Sequence, residues 1–109
     1  MATRAETVDH LRDLLAPLPL TARKMFGEYA LYLDGVVVAL VCDDTLWIKP
    51  LPGARALLPD CDLAPPFPGG SLYMNVAEAL DDPDTVRAAL RSVARERPPP
   101  KPRKKKKAE

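Results

Sequence analysis

The chain holds one histidine, two cysteines and one tryptophan in 109 residues, and each scarcity removes a class of chemistry. His10 has no second imidazole with which to share a metal or a proton relay, so a solvated or structural role is expected for it. Cys42 and Cys61 form neither a CxxC pair nor a disulfide framework, and both are expected to be reduced. Cys42 ends an apolar strand as a small hydrophobe, while Cys61 falls in a loop. There is no glycine-rich phosphate loop, Ser-His-Asp set, HExxH or cysteine cluster. Asp43-Asp44 and Asp81-Asp82 stand where turns and helix N-caps use aspartate, so they read as structural rather than as metal ligands or acid/base pairs. The expectation is a protein that is no enzyme, with no cofactor and no metal site. Long apolar runs are missing too. The longest, residues 36–42, is far short of the roughly 20 residues a membrane helix needs, and the N-terminus has no secretory pattern. A cytoplasmic location without membrane contact is expected.

What is present is an ordinary globular composition, 47 % hydrophobic and 28 % charged, sufficient for one core in one domain. Charge is unevenly spread: residues 1–97 carry ten Lys/Arg against fourteen Asp/Glu, a net of −4, and residues 98–109 carry six against one, a net of +5. The chain therefore divides into a mildly acidic domain over 1–97 and a Pro/Lys-rich tail over 98–109 that is expected to be disordered.

Thr3-Arg4-Ala5-Glu6 has the spacing of a capping box and predicts a helix over residues 3–16. Val8, Leu11, Leu14, Leu15 and Leu18 share its apolar face. Residues 23–50 read as three antiparallel strands. Asp34-Gly35 between apolar runs is a two-residue turn signal, and Asp43-Asp44 marks a second turn. A strict two-residue first turn pairs Leu33 with Val36, Leu31 with Val38 and Tyr29 with Leu40 on one face. It leaves Ala30, Tyr32, Val37, Ala39 and Val41 on the other, which the helices are expected to cover because it is small at its centre and uncharged. The uncovered face, with Tyr29, Leu31, Val38, Leu40 and Trp47, is more apolar than a lone monomer should expose and points to a protein partner, a homodimer included. A short helix over 51–58, a proline-stiffened loop over 61–70, a strand over 71–76 and a last helix over 82–97, with Asp82 as N-cap and Pro83 first, complete the domain.

Arg23-Lys24-Met25-Phe26-Gly27-Glu28-Tyr29 places cations and aromatics at a strand start. It fits contact with a partner, or a structural role with Met25 and Phe26 filling the core beneath the first helix. With the following Ala30-Leu31-Tyr32-Leu33-Asp34-Gly35, Ala39-Leu40-Val41 and Leu46-Trp47-Ile48-Lys49, it closely resembles the N-terminal domain of the TfoX (Sxy) family, named for regulators of natural competence. The resemblance covers roughly residues 5–97. It implies an α+β, two-layer domain ordered α-β-β-β-α-β-β-α on an antiparallel sheet, similar to secretion-chaperone folds, with a fifth strand within residues 62–67. It implies no catalytic residue. Full-length regulators carry a further helical domain where this chain has Pro100 and a lysine tail, so a competence role is not carried over.

The reading is a regulatory interaction module acting through protein contacts, with Arg23, Lys24, Phe26, Tyr29, Trp47 and Lys49 as candidate contact residues. The alternative is a ligand-binding or enzymatic pocket near Arg23, Tyr29 and Lys49. The tail, through Lys101, Arg103, Lys104, Lys105, Lys106 and Lys107, is either a solubilising end or a sequence-independent binder of nucleic acid. If it binds, the full chain is retained on duplex DNA more than a 1–97 truncation, with a log-log salt slope of up to about −5; equal retention across salt removes the binding reading.

Overall fold

The computed structural model describes residues 3–25 and 27–96; Phe26 and the tail residues Lys101, Arg103, Lys104, Lys105, Lys106 and Lys107 lie outside the described residues. The elements run α1 (Ala5–Leu14), β1 (Thr21–Met25), β2 (Glu28–Leu33), β3 (Val36–Cys42), β4 (Thr45–Ile48), α2 (Pro52–Leu57), β5 (Leu63–Ala64), β6 (Tyr73–Asn75), a 3-10 turn (Glu78–Asp81) and α3 (Pro83–Glu96). The fold is α+β, with six antiparallel strands in the order β1-β2-β3-β4-β6-β5. The three expected helices form, and the strands expected over residues 23–50 and 71–76 are β2, β3, β4 and β6. The addition is β1: Gly27, at φ 82°, turns the chain back so that Thr21–Met25 pairs with β2. Four strands rather than three therefore precede α2, with Gly27 at the turn between the first two. The fifth strand implied within residues 62–67 is the two-residue β5.

The β2–β3 and β3–β4 turns place their central residues in the left-handed region, Asp34 and Gly35 at φ 55° and 79°, Asp43 and Asp44 at 54° and 57°. Asp tolerates that region better than most side chains. The first turn pairs Leu33 with Val36 and Tyr32 with Val37, but Leu31 then pairs with Ala39. Val38 is an extra residue on β3, a β-bulge that turns the rest of the strand over. The expected faces are corrected accordingly. Leu31, Leu33, Val36, Val38, Ala39, Val41, Leu46 and Ile48 join one buried cluster with Val8, Leu11 and Leu15 of the α1 segment and Val86, Ala89, Leu90 and Val93 of α3. Ala30, Leu40, Cys42 and Tyr73 form a second cluster, with Met25, Tyr32, Val37 and Trp47 packed around it. Ala39 and Val41 are covered by helices as expected, and Leu46 and Ile48 of β4 lie with them. Leu31 and Val38 are covered as well, and Ala30, Tyr32 and Val37 are not. Met25 packs on the second cluster instead of beneath α1.

The helix ends are tied by other elements. The capping box does not form: the Thr3 hydroxyl reaches Glu28 Oε1 (2.5 Å) and the Val41 carbonyl (3.0 Å) instead. The start of α1 is capped from the β3–β4 turn, where Asp44 Oδ1 accepts from the Arg4 N–H (2.9 Å) and the Thr7 hydroxyl (2.8 Å). At its far end, Arg87 of α3 donates to the carbonyls of Leu14 (3.1 Å) and Ala16 (3.2 Å). Glu96 at the end of α3 accepts from the Gly53 N–H at the start of α2 (3.1 Å), where the N-cap residue Leu51 offers no side-chain acceptor. Only α3 is capped as its own sequence says, by Asp82, which accepts from the Thr85 hydroxyl (2.7 Å).

Gly53 also lies close against α3. A Cβ built there would lie 2.1 Å from Ser92 Oγ and 2.6 Å from Glu96 Oε2, and Ser92 is buried. Gly53→Ala should therefore destabilise the fold by about 1–3 kcal/mol through overpacking, read as a lower urea midpoint at unchanged m-value. The Arg4 N–H, then the Thr7 hydroxyl, hold the Asp44 carboxyl below its ordinary pKa. A depressed carboxyl stabilises the fold above its unfolded pKa of roughly 3.9 and loses that contribution as pH falls through the folded value. Asp44→Asn, which keeps a side chain suited to the left-handed region, should thus lower the melting temperature at pH 7, and the gap from the parent chain should close as pH drops below about 4.

Candidate functional site

The helices occupy one side of the sheet, and among the described residues none covers the other. Strand register fixes what that open side presents. Arg23 pairs with Ala30, Ala30 with Leu40, and Leu40 with Trp47, so these four form one row across β1, β2, β3 and β4. Ala30 and Leu40 are buried in the middle of the row beneath larger neighbours. The indole N–H of Trp47 donates to the Cys42 carbonyl (3.3 Å), so the ring has a fixed polar anchor as well as its apolar contacts. Lys49 lies just beyond β4, and its ammonium sits 4.8 Å from the centroid of Tyr73. The Arg23 guanidinium lies 6.0 Å from the centroid of Tyr32. Each cation thus stands over an aromatic ring at a separation where the ring quadrupole attracts it.

At the end of this face where β3 turns into β4 lies a polar knot. Glu28 Oε1 accepts from the Thr3 hydroxyl and from the Asp43 N–H (3.1 Å), and the Asp44 N–H donates to Thr3 Oγ1 (3.2 Å). Thr3 is itself buried. The knot satisfies the amides of the left-handed turn and binds the N-terminal segment to the sheet. Cys42 lies beside it, and burial, then the Glu28 and Asp43 carboxylates, push its thiol up to about 11. Such a thiol is neutral at physiological pH and unreactive, in agreement with its reading as a small core residue. Burial, the largest influence, also raises the Cys61 thiol. His10 is exposed on α1.

Of the residues singled out in the sequence, Arg23, Trp47 and Lys49 come together on the open face. Lys24 is exposed on the edge strand β1. Tyr29 packs against the helix-side cluster, so Arg23, Tyr29 and Lys49 do not line a common pocket. A cleft of about 540 Å³ lies elsewhere, between the loop after α2, the end of β6 and the start of α3, and is lined by Asp60, Asp62, Glu78 and Asp82 among others. Among the described residues no group of three or more His, Cys, Asp or Glu side chains is placed to hold a metal ion, and no helix is long and apolar enough to cross a membrane. Tyr32 and Tyr73, on which the two cations rest, were not legible as site residues. Tyr73 meets Lys49 only because β6 docks beside β4, a non-local pairing that local pattern does not carry.

The family model of the TfoX N-terminal domain matches residues 13–96, a span that includes every element except the N-terminal part of α1. The chain is also 35 % identical over 105 residues to a Spirochaeta aurantia protein described as an uncharacterized 12.7 kDa protein in the trpE 5′ region, covering 95 % of this chain and 91 % of that one.

Proposed function

Since the chain belongs to the TfoX N-terminal domain family, we propose that it is a non-enzymatic interaction module that acts in regulation through protein contacts on the open face of its sheet. The observation that carries this reading is the asymmetry of the sheet. One side is sealed by three helices into a continuous core, while the other keeps an apolar centre under half-buried Trp47 and Tyr32 with two cations at its rim. A buried apolar centre with aromatic and arginine neighbours is the composition of a binding hot spot. The catalytic alternative loses its support because its three proposed pocket residues are split between the two sides of the sheet.

The reading is tested by using the full chain as bait in a pull-down beside two charge-altered baits. Arg23→Glu/Lys49→Glu changes the open face, and Glu6→Lys/Asp9→Lys changes the exposed side of α1. A partner of the open face is retained by the second variant and lost from the first by about tenfold, which corresponds to roughly 1.4 kcal/mol. Retention of every bound protein by the open-face variant would overturn the proposal.

A further inference from the structure

The charge of the open face is opposite to that of the body that carries it. Residues 3–96 hold nine Lys/Arg against fourteen Asp/Glu, yet the open face presents the cationic heads of Arg23 on β1 and of Lys49 just beyond β4. The one carboxylate among the strand residues of that face, Glu28, already accepts hydrogen bonds from Thr3 and Asp43. Among the described residues neither Arg23 nor Lys49 makes an ion pair; the pairs there are Arg4 with Asp44 and Arg87 with Asp84. A guanidinium or ammonium resting on an aromatic ring keeps donors directed away from the ring, so both heads remain able to receive carboxylates.

We infer that the occupant of this face is an acidic, partly apolar segment of another protein, bearing two carboxylates four or six residues apart, and so on one side of an extended chain, with apolar side chains between them. The inference rests on the docking reading above and adds the chemistry of the partner. Arg23 and Trp47 share a row that spans three strand spacings, about 14 Å, and Lys49 is two residues further along, about 7 Å. The two cation-bearing backbones are thus about 16 Å apart, the reach of about five extended residues at roughly 3.3 Å each. Between them lie Ala30 and Leu40, overlaid by Trp47, which receive apolar side chains. A second copy of the chain fits less well, because a two-fold contact through this face would bring the same cations together. Single-stranded nucleic acid also fits less well. Base stacking needs a bare ring face, whereas Tyr32 and Tyr73 each lie under a cation and Tyr73 is only 9 % exposed.

The test is a random peptide display library panned against the full chain, followed by titration of synthetic copies of the selected peptides. Enriched sequences should carry two Asp or Glu four or six residues apart around apolar positions. Exchanging those acids for Asn or Gln should weaken binding roughly fivefold, the size that two partly exposed ion pairs supply. In the Arg23→Gln/Lys49→Gln variant, checked for an unchanged circular dichroism melt, acidic and amide peptides should bind equally. Selected peptides that lose affinity in this variant's place only when Trp47→Phe is made, and show no acidic bias, would overturn the acidic partner while leaving the docking reading in place. Peptides insensitive to both variants, or no enrichment at all, would overturn the two together. An oligothymidylate that binds the face more tightly than any acidic peptide would replace the inferred occupant with nucleic acid.

Discussion

Val38 has no partner of its own on β2. Tyr32 faces Val37 and Leu31 faces Ala39, so β3 carries one residue more than the strand beside it, and Val38 and Ala39, consecutive in the chain, both join the helix-side core. Side chains on a strand alternate, so one inserted residue exchanges the faces of everything beyond it. Without the bulge, Leu40 would lie with Leu31 beneath the helices and Ala39 and Val41 would lie opposite. With it, the β-branched and large residues of β2 and β3 on the helix side meet α1 and α3. Leu40 and Cys42 pass to the open side, where Trp47 and Tyr32 cover them. The composition of both the core and the contact surface depends on that one unpaired residue.

The helices depend on a second constraint, the satisfaction of backbone groups at their ends. The first amides and last carbonyls of a helix have no partners within it. In α1 and α2 the partners come from other parts of the chain: Asp44 from the β3–β4 turn, Arg87 and Glu96 from α3. Helix α3 therefore packs against the sheet, closes the far end of α1 and caps the start of α2. The glycine at position 53 lets α2 come close enough for the last of these. Capping by a residue distant in sequence makes each helix conditional on the whole fold, in keeping with the small stability of isolated helices of this length.

The two constraints meet at the Thr3 knot. The bulge orients β3 so that Cys42 and the Asp43-Asp44 turn lie beside Glu28, and the turn in turn caps α1. Glu28 and Thr3 are thereby committed to structure, which leaves the cations as the available charges among the strand residues of the open face. Arg23 holds a position set by strand register, and Lys49 directly follows β4, each beside a tyrosine ring. Contact groups held on strands lose less conformational freedom on binding than the same groups on a mobile segment.

Local pattern carried much of this protein. Helical periodicity marked α1 and α3, Asp-Gly marked the first hairpin, Asp82-Pro83 marked the start of α3, and Met-Phe-Gly with the following strands carried the family resemblance. Each signal lies within a few residues and acts through backbone preference or apolar spacing, which is why it can be read in one dimension. The faces of the sheet, the caps of α1 and α2, and the pairing of Lys49 with Tyr73 could not be read that way. Val36-Val37-Val38 is equally apolar at each position, so nothing local says which valine is extra. Thr3-x-x-Glu6 satisfies the capping-box spacing, yet Thr3 is drawn to Glu28 and Val41 because folding brings those acceptors within reach. By itself the sequence determined the three helices and the strands β2, β3, β4 and β6. The tertiary structure decided which side of the sheet each residue faces and which charges remain free, because both depend on contacts between residues far apart in the chain.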